Sequence, residues 1–347
     1  MISATSARTV VVRHALPYLC RYLGVNAALR AAQSKRLLVL SYHGVVCDED
    51  YTCVHSDYTV GLKTFREQMA ILSCYFQPIT VSDLADWWAG KAELPRHSVL
   101  VTFDDGYMNN LTNAAPVLLQ YGVPAVIHVC TGYIDKTRIL WILEIYRRVL
   151  EWPKSTIPMP GSEVDKRVDD PVERKLVASS VRQACKSLPL EECERYLNRL
   201  REIDSPESDG RDQEVFGFLS WDAVRTLKKK GFEIGSHTIE HPILTRIPEE
   251  GLDQELRGSK LAIEEQIGGN CRCFAYPNGK EEDISKTITE RVEQAGYDFA
   301  FTTMEQFCSR SESPFQLGRI SIPGGLSVNG FHARLSGAHA LLKRHIR

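Results

Sequence analysis

Short apolar runs alternate with stretches of helical periodicity along most of this 347-residue chain. The runs are rich in Val, Leu, Ile and Phe, which is typical of strands buried on both faces. Strands that alternate with helices predict a parallel sheet covered by helices, and therefore an α/β fold. The predicted strands lie at residues 37–42, 98–103, 125–130, 232–236, 272–276, 299–303 and 319–322.

Polar side chains follow several of these runs at the point where the strand should end. They are His43, Asp104, Asp105, His237, His241 and the turn at 276–279. Because the carboxyl ends of parallel strands share one edge of a sheet, α/β barrels and open α/β sheets place their active sites there. The sequence therefore predicts a functional site at this edge.

The alternation stops between about residue 135 and residue 215, where Glu, Arg and Lys are frequent and Leu and Val recur at helical spacing. We predict a helical insertion there, with loops around 153–161 and 205–210. The insertion interrupts a main domain at 37–325. An N-terminal basic helical segment at 1–36 precedes that domain, and a C-terminal tail at 326–347 follows it.

One Asp and two His form a natural facial set of ligands for a divalent metal that keeps open positions for water and substrate. His237 and His241 lie four residues apart after a predicted strand. Pro242 disfavours a long helix ending at His241, so a turn-like loop is expected and Glu240 is not the expected base. Paired with the carboxylates that follow another strand, these residues predict a metal-dependent hydrolase.

Two further roles complete such a site. The Asp that does not bind the metal can accept a proton from water. A departing amine needs a general acid, and His43 is the candidate, although a hydrogen-bonded core or rim histidine is the alternative. A Pro-Asn-Gly turn exposes backbone N–H groups that can hold an oxyanion, although it is also an ordinary turn. His128, inside an apolar strand, is expected to be structural.

Composition limits the partners and the compartment. The net charge of −2 gives no bulk electrostatic reason for a nucleic-acid partner. Neither a signal-peptide core nor a membrane-spanning run is present, so a cytoplasmic location is expected. Residues 1–36 carry six basic side chains among apolar ones. This segment could contact a membrane surface, pack on the domain or fray.

Two segments resemble the first two motifs of the polysaccharide deacetylase family, the NodB-homology enzymes of carbohydrate esterase family 4. They are Thr-Phe-Asp-Asp-Gly at 102–106 and Ser-His-Thr-Ile-Glu-His-Pro at 236–242. The Gly-Phe-Glu-Ile-Gly run at 231–235 is also similar, and 274–279 resembles the third motif in its Phe-Ala-Tyr-Pro form. The resemblance covers roughly 37–134 and 216–325. Relatives linked to exopolysaccharide synthesis also have an insertion between these parts.

The resemblance implies a distorted (β/α)7 barrel of the NodB-homology type and a divalent metal, commonly zinc. It implies that Asp105, His237 and His241 hold the metal and that Asp104 is the catalytic base. It further implies that a four-residue segment shapes the oxyanion site and the acyl pocket. That segment comprises Tyr276, Pro277, Asn278 and Gly279.

The chain also departs from the family pattern. Ala275 stands where the family has an Arg that orients the base, and Arg319 is the candidate to replace that Arg. The C-terminal motif that bears the general acid is not recognisable. In relatives with the Phe-Ala-Tyr-Pro form, a His near the start of the domain resembles a replacement acid, and His43 after Tyr42 fits that place.

The sequence thus predicts a metal-dependent deacetylase that hydrolyses the N-acetyl amide of an amino sugar, in a polysaccharide or its precursor. Two alternatives stay open. One is the same metal chemistry on a non-sugar amide or an ester, since the sugar-binding loops cannot be placed. The other is a catalytically inactive barrel that only binds glycan, although such a module has no need for a base.

Overall fold

The computed structural model describes residues 16–49, 58–162, 164–203 and 215–340. The predicted loop at 205–210 and parts of the two predicted terminal segments lie outside the described residues. The described strands are β1 (Leu38–Tyr42), β2 (Gly44–Val46), β3 (Thr59–Gly61), β4 (Gln77–Pro78), β5 (Ser98–Phe103), β6 (Ala125–Val129), β7 (Thr156–Ile157), β8 (Lys166–Arg167), β9 (Glu233–Ser236), β10 (Cys273–Ala275), β11 (Phe299–Phe301) and β12 (Ile320–Ser321).

The α-helices cover the sheet, form the insertion and close the two ends of the described chain. They are α1 (Leu16–Tyr22), α2 (Val25–Ala32), α3 (Leu62–Tyr75), α4 (Val81–Trp88), α5 (Ala115–Tyr121), α6 (Trp141–Leu150), α7 (Pro171–Ser187), α8 (Leu190–Ile203), α9 (Trp221–Lys229), α10 (Glu249–Asp253), α11 (Ser259–Ile267), α12 (Lys286–Gln294) and α13 (Val328–Ser336). Two π-helical turns, Asn110–Ala114 and Gln254–Gly258, directly precede α5 and α11.

The main sheet has the strand order β11-β10-β9-β6-β5-β1-β12, and β4 also pairs with β5. Every pairing in it is parallel. An isolated parallel bridge joins Phe301 of β11 to Leu317, just before β12, so the two ends of the sheet approach each other. The result is a curled half-barrel of seven strands with helices, which confirms the predicted barrel-like α/β fold.

Local signals in the sequence explain several of these elements. Ser220 caps α9, because its side chain accepts a hydrogen bond from the backbone N–H of Ala223. Gly122 ends α5 in the left-handed conformation, with φ of 64°. The strand β5 is buried at all six positions, as a two-sided strand requires. Ser220 and Gly122 thus set helix boundaries, and β5 is the buried strand whose end carries the paired aspartates.

The described part of the insertion is helical, as predicted, with the three helices α6, α7 and α8, and it has a core of its own around Ile145 and Trp152. The predicted loop at 153–161 is only partly correct, because β7 within it pairs with β8 in a short antiparallel ribbon. Two-residue strands give no period-2 pattern in the sequence, so they could not be recognised.

The two ends of the described chain pack together. The helices α1 and α2 lie against α13, and the Ser336 hydroxyl donates to Asn26 Oδ1 at 2.9 Å. Phe331 of α13 is fully buried, so this part of the predicted tail is an integral helix. No helix in the described part of the chain is long and apolar enough to cross a membrane. Contact of the 1–36 segment with a membrane surface stays a prediction.

Candidate metal and catalytic site

Three neighbouring strands deliver the predicted site residues to one edge of the sheet. The strand β5 ends directly before Asp104 and Asp105, β9 ends before His237, and β10 ends before Tyr276. The strands β5, β6, β9 and β10 are consecutive in the sheet. Side chains that are more than a hundred positions apart in the sequence therefore meet at the carboxyl edge.

Asp105, His237 and His241 converge. Asp105 Oδ1 lies 3.6 Å from His237 Nε2 and 3.5 Å from His241 Nε2. One ligand atom from each residue lies within 4.8 Å of the others, which makes this a group able to hold a metal ion. All three residues are buried, with His241 the most exposed at 9%. The structure thus brings together the three predicted metal ligands.

The two imidazoles are prepared for ligation. His237 Nδ1 lies 2.7 Å from the carbonyl oxygen of Ala275. A carbonyl only accepts, so Nδ1 carries the hydrogen, and Nε2, which faces Asp105, is the nitrogen available to a metal. Burial, with a smaller contribution from the neighbouring His237, lowers the pKa of His241 to about 3. Two imidazoles and one carboxylate are a donor set that fits a divalent metal.

The backbone around these ligands adopts a rare conformation. Among non-glycine residues, Asp105, Thr238, His241 and Asn278 have φ of 72°, 68°, 55° and 60°. The left-handed region costs energy for such residues and persists where the surrounding structure enforces it, often at functional sites. The chain from 237 to 243 forms no helix, as Pro242 predicts. Turn-like backbone thus directs both imidazoles at one point.

Hydrogen bonds hold the ligand loop in place. Glu255 Oε2 accepts from the backbone N–H groups of Ile239 at 2.7 Å and Glu240 at 3.1 Å. Burial raises the pKa of Glu255. Glu240 forms an ion pair with Arg138 at 2.6 Å, and its exclusion as the base stays a prediction. Sequence reasoning missed Glu255, because it lies in a helical stretch with no local signal of this contact.

Asp104 is a buried carboxylate with several partners. Arg319 contacts it with both ends of its guanidinium, at 2.7 Å to each carboxylate oxygen. His128 Nδ1 lies 3.1 Å from Asp104 Oδ1, a contact that sequence reasoning missed. Burial by itself would raise the pKa of Asp104, but the charge of Arg319 and the hydrogen bond from His128 hold it well below its usual range. Asp104 is therefore ionised at neutral pH.

Removing the Arg319 side chain is expected to destabilise the protein. Arg319 is fully buried and also donates to Thr302 O and Thr102 Oγ1. We expect Arg319→Met to lower the free energy of unfolding by about 3–5 kcal/mol, because Asp104 becomes a buried charge without its partner. Arg319→Lys should recover only part of the lost free energy of unfolding, because an ammonium group cannot bind both carboxylate oxygens of Asp104 in parallel.

Chemical denaturation of the two variants measures this loss. Arg195→Met is the control, because the Arg195 side chain is 76% exposed. Equal stability of wild type and Arg319→Met would contradict the assignment of a tightly held buried pair.

A cavity of about 160 Å³ opens directly on these residues. Its lining comprises His43, Tyr58, Asp104, Asp105, Leu140, Trp141, Ile142, Lys186, His237, His241, Ile243, Tyr276, Asn278 and Thr303. His43 thus reaches the same cavity as the ligand set, with its ring 5.5 Å from the Tyr58 ring at a nearly perpendicular angle. The carbonyl of His43 accepts from Asn110 Nδ2 at 2.7 Å, which fixes the backbone between β1 and β2.

The insertion contributes several cavity residues that sequence reasoning missed. Leu140, Trp141, Ile142 and Lys186 all come from the segment that interrupts the barrel. In the sequence, Lys186 is one of many charges in an amphipathic helix, which usually marks a solvated face. No local pattern distinguishes it.

The turn at 276–279 offers fewer free backbone donors than the sequence suggests. Tyr276 N–H donates to Phe301 O at 3.0 Å, Gly279 N–H donates to Pro277 O at 2.7 Å, and Pro277 has no N–H. The N–H of Asn278 has no acceptor among the described residues. Tyr276 Oη donates to Phe315 O at 2.9 Å. An oxyanion role for this segment stays a prediction. The backbone N–H of Asn278 is the group in the turn that could fill that role.

Three residues able to hold a metal ion thus lie beside an Arg-paired Asp, at the carboxyl edge of a curled α/β sheet. Residues 91–300 match the family model described as polysaccharide deacetylase. The chain belongs to the polysaccharide deacetylase family. It is a hydrolase of carbohydrate esterase family 4, whose members act on N-acetyl amide bonds.

Named relatives are similar over different shares of the chain. The Bacillus subtilis protein YxkH is 18% identical over 308 residues, 89% of this chain and 79% of its own. The Staphylococcus epidermidis poly-β-1,6-N-acetyl-D-glucosamine N-deacetylase is 24% identical over 188 residues, 52% of this chain and 61% of its own. Among solved structures, the Streptococcus pyogenes deacetylase PplD in complex with acetate has a TM-score of 0.56 at 17% identity. It is matched over 86% of this chain and 98% of its own.

Proposed function

We propose that this protein is a zinc-dependent deacetylase that hydrolyses the N-acetyl amide of an amino sugar in an exopolysaccharide or its precursor. The observation that carries the proposal is the convergence of Asp105, His237 and His241 beside the ionised Asp104. The similarity to the Staphylococcus epidermidis poly-β-1,6-N-acetyl-D-glucosamine N-deacetylase supports an exopolysaccharide substrate. Two imidazoles with one carboxylate suit zinc, and three protein ligands leave a position open, as in catalytic zinc sites.

In the proposed mechanism, Asp105, His237 and His241 would hold a divalent ion, which would supply Lewis acidity at the amide carbonyl and at the attacking water. Asp104 accepts the proton of that water at a carboxylate oxygen, and Arg319 keeps the carboxylate ionised and oriented. The N–H of Asn278 donates to the carbonyl oxygen as negative charge develops on it. His43 donates a proton to the departing nitrogen, so that a neutral amine leaves.

Replacing His43 tests the least constrained part of this mechanism. We expect His43→Ala to lower kcat by about 10²–10⁴-fold, the usual contribution of one general acid. The metal content should be unchanged, because His43 is not part of the ligand group. Steady-state kinetics and elemental analysis of the same preparation measure both quantities.

The control for this variant is His97→Ala, because His97 does not line the cavity. A wild-type rate in His43→Ala would assign the acid role to another group. Loss of bound metal in this variant would show instead that His43 supports the ligand set.

The substrate is tested by incubating the protein with acetylated amino sugars, nucleotide sugars and β-1,6- and β-1,4-linked oligomers. Mass spectrometry detects the loss of an acetyl group, and a parallel incubation with a chelator shows metal dependence. Deacetylation of sugars that stops with the chelator supports the proposal. If the protein hydrolysed only a non-sugar amide or ester, the alternative of the same metal chemistry on a non-sugar substrate would be favoured. If it bound glycan without turnover, a catalytically inactive glycan-binding barrel would be favoured.

A further inference from the structure

The helical insertion reaches the candidate site at three separate places. Trp141 Nε1 donates to the carbonyl oxygen of the ligand His241 at 3.2 Å. Arg182 Nη1 donates to the hydroxyl of Tyr58 at 3.3 Å, and Tyr58 packs on His43. These contacts show that the insertion forms one wall of the cavity and is not an appended module.

The third contact reaches the turn after β10. Lys186 Nζ, in the last turn of α7, donates to Asn278 Oδ1 at 2.6 Å. The two residues are 92 positions apart in the sequence. Lys186 also lines the cavity and lowers the pKa of His241 as one of several nearby charges. A cation from the insertion is thus placed beside the metal ligands.

Asn278 is held on several sides in a conformation that costs energy. Its φ is 60°, its Nδ2 donates to Asp283 Oδ2, and its carbonyl accepts from Thr303 Oγ1 at 2.7 Å. Lys186 adds a further anchor, because its ammonium donates to the side-chain oxygen of Asn278. Because φ and the side-chain anchors fix the peptide plane, they also fix the direction of the Asn278 N–H.

We propose that Lys186 is a positioning residue that couples the insertion to the oxyanion-binding turn through Asn278. This inference rests on the proposed function for the role of the Asn278 N–H. Lys186 acts on the reaction through Asn278, by holding the turn whose N–H faces the carbonyl oxygen of the substrate. The insertion therefore contributes to the rate of the reaction and not only to substrate access.

Lys186→Met removes the donor and the charge at nearly constant volume. We expect kcat to fall by about 10–100-fold, somewhat less than the loss of a direct oxyanion donor. KM and the zinc affinity should stay within about twofold, because Met keeps the volume of this part of the cavity wall and Lys186 is not in the ligand group. Lys186→Arg should restore part of kcat. Lys175→Met, at an exposed position of the same helix, is the matched control and should behave as wild type.

A double-mutant cycle tests whether the effect runs through Asn278. In an Asn278→Ala background, Lys186→Met should change kcat by less than about twofold, since the shared contact is already gone. If Lys186→Met lowered kcat by the same factor in the wild-type protein and in Asn278→Ala, the proposal would be overturned. A kcat within twofold of wild type in Lys186→Met would also overturn it.

Hydrogen exchange gives a readout that does not depend on turnover. Lys186→Met should speed amide exchange several-fold in the peptide that covers 276–284 and leave the peptide that covers 237–243 unchanged. Unchanged exchange at 276–284 would overturn the coupling even if the enzyme were active. Conversely, absence of turnover in wild type on every acetylated sugar would refute the proposed function, while the exchange result would still decide whether Lys186 orders the turn.

Discussion

Asp104→Asn is expected to abolish deacetylation while the protein keeps its metal. The amide has the shape of the carboxylate but cannot accept the proton of the attacking water. We expect kcat to fall by about 10²–10⁴-fold. The ligand group of Asp105, His237 and His241 remains intact, so the metal-to-protein ratio should equal that of wild type. Steady-state kinetics and elemental analysis of one preparation measure both values.

Lower folding stability of Asp104→Asn must be separated from its loss of catalysis. The variant leaves Arg319 buried beside a neutral amide, so some destabilisation is expected. Activity is therefore measured well below the unfolding midpoint of the variant, with thermal unfolding recorded in parallel. A folded Asp104→Asn protein that retains more than about a tenth of wild-type turnover would remove Asp104 from the role of base.

His237→Ala is expected to lose both the metal and the activity. His237 Nε2 faces Asp105, and its other nitrogen is fixed by Ala275 O, so the ring is a preorganised ligand. With one of three protein ligands gone, we expect zinc affinity to fall by more than the 10–100-fold that loss of an outer-shell partner typically costs. Turnover should drop below detection at zinc concentrations that saturate wild type.

A competition titration with a chelating dye measures the affinity of this variant. The comparison is with His128→Asn, which changes a histidine next to Asp104 but outside the ligand group. That variant should retain zinc. Wild-type zinc affinity in His237→Ala would contradict the proposed ligand set.

The sequence predicted the parts of this molecule that depend on local patterns. Apolar runs located β5 and β9, and the polar residues after them located Asp105 and His237. Pro242 predicted a loop in place of a helix. The parallel direction of the strands also followed from the alternation of strands and helices, because parallel strands need crossover connections, whereas the strand order came only from the structure.

Long-range pairing could not be derived in the same way. Arg319 and Asp104 are 215 positions apart, and only the Ala275 departure from the family pattern drew attention to Arg319. The contact between Lys186 and Asn278 gave no signal, because a lysine in a charged helix looks like any solvated residue. The short strands β7 and β8 were missed because two residues carry no periodicity.

The most direct test of the metal site is a crystal structure of the zinc-loaded protein with anomalous diffraction recorded at the zinc absorption edge. The account predicts one strong anomalous peak at about 2.0–2.2 Å from Asp105 Oδ1, His237 Nε2 and His241 Nε2. Zinc bound elsewhere, with no peak between these three atoms, would contradict it.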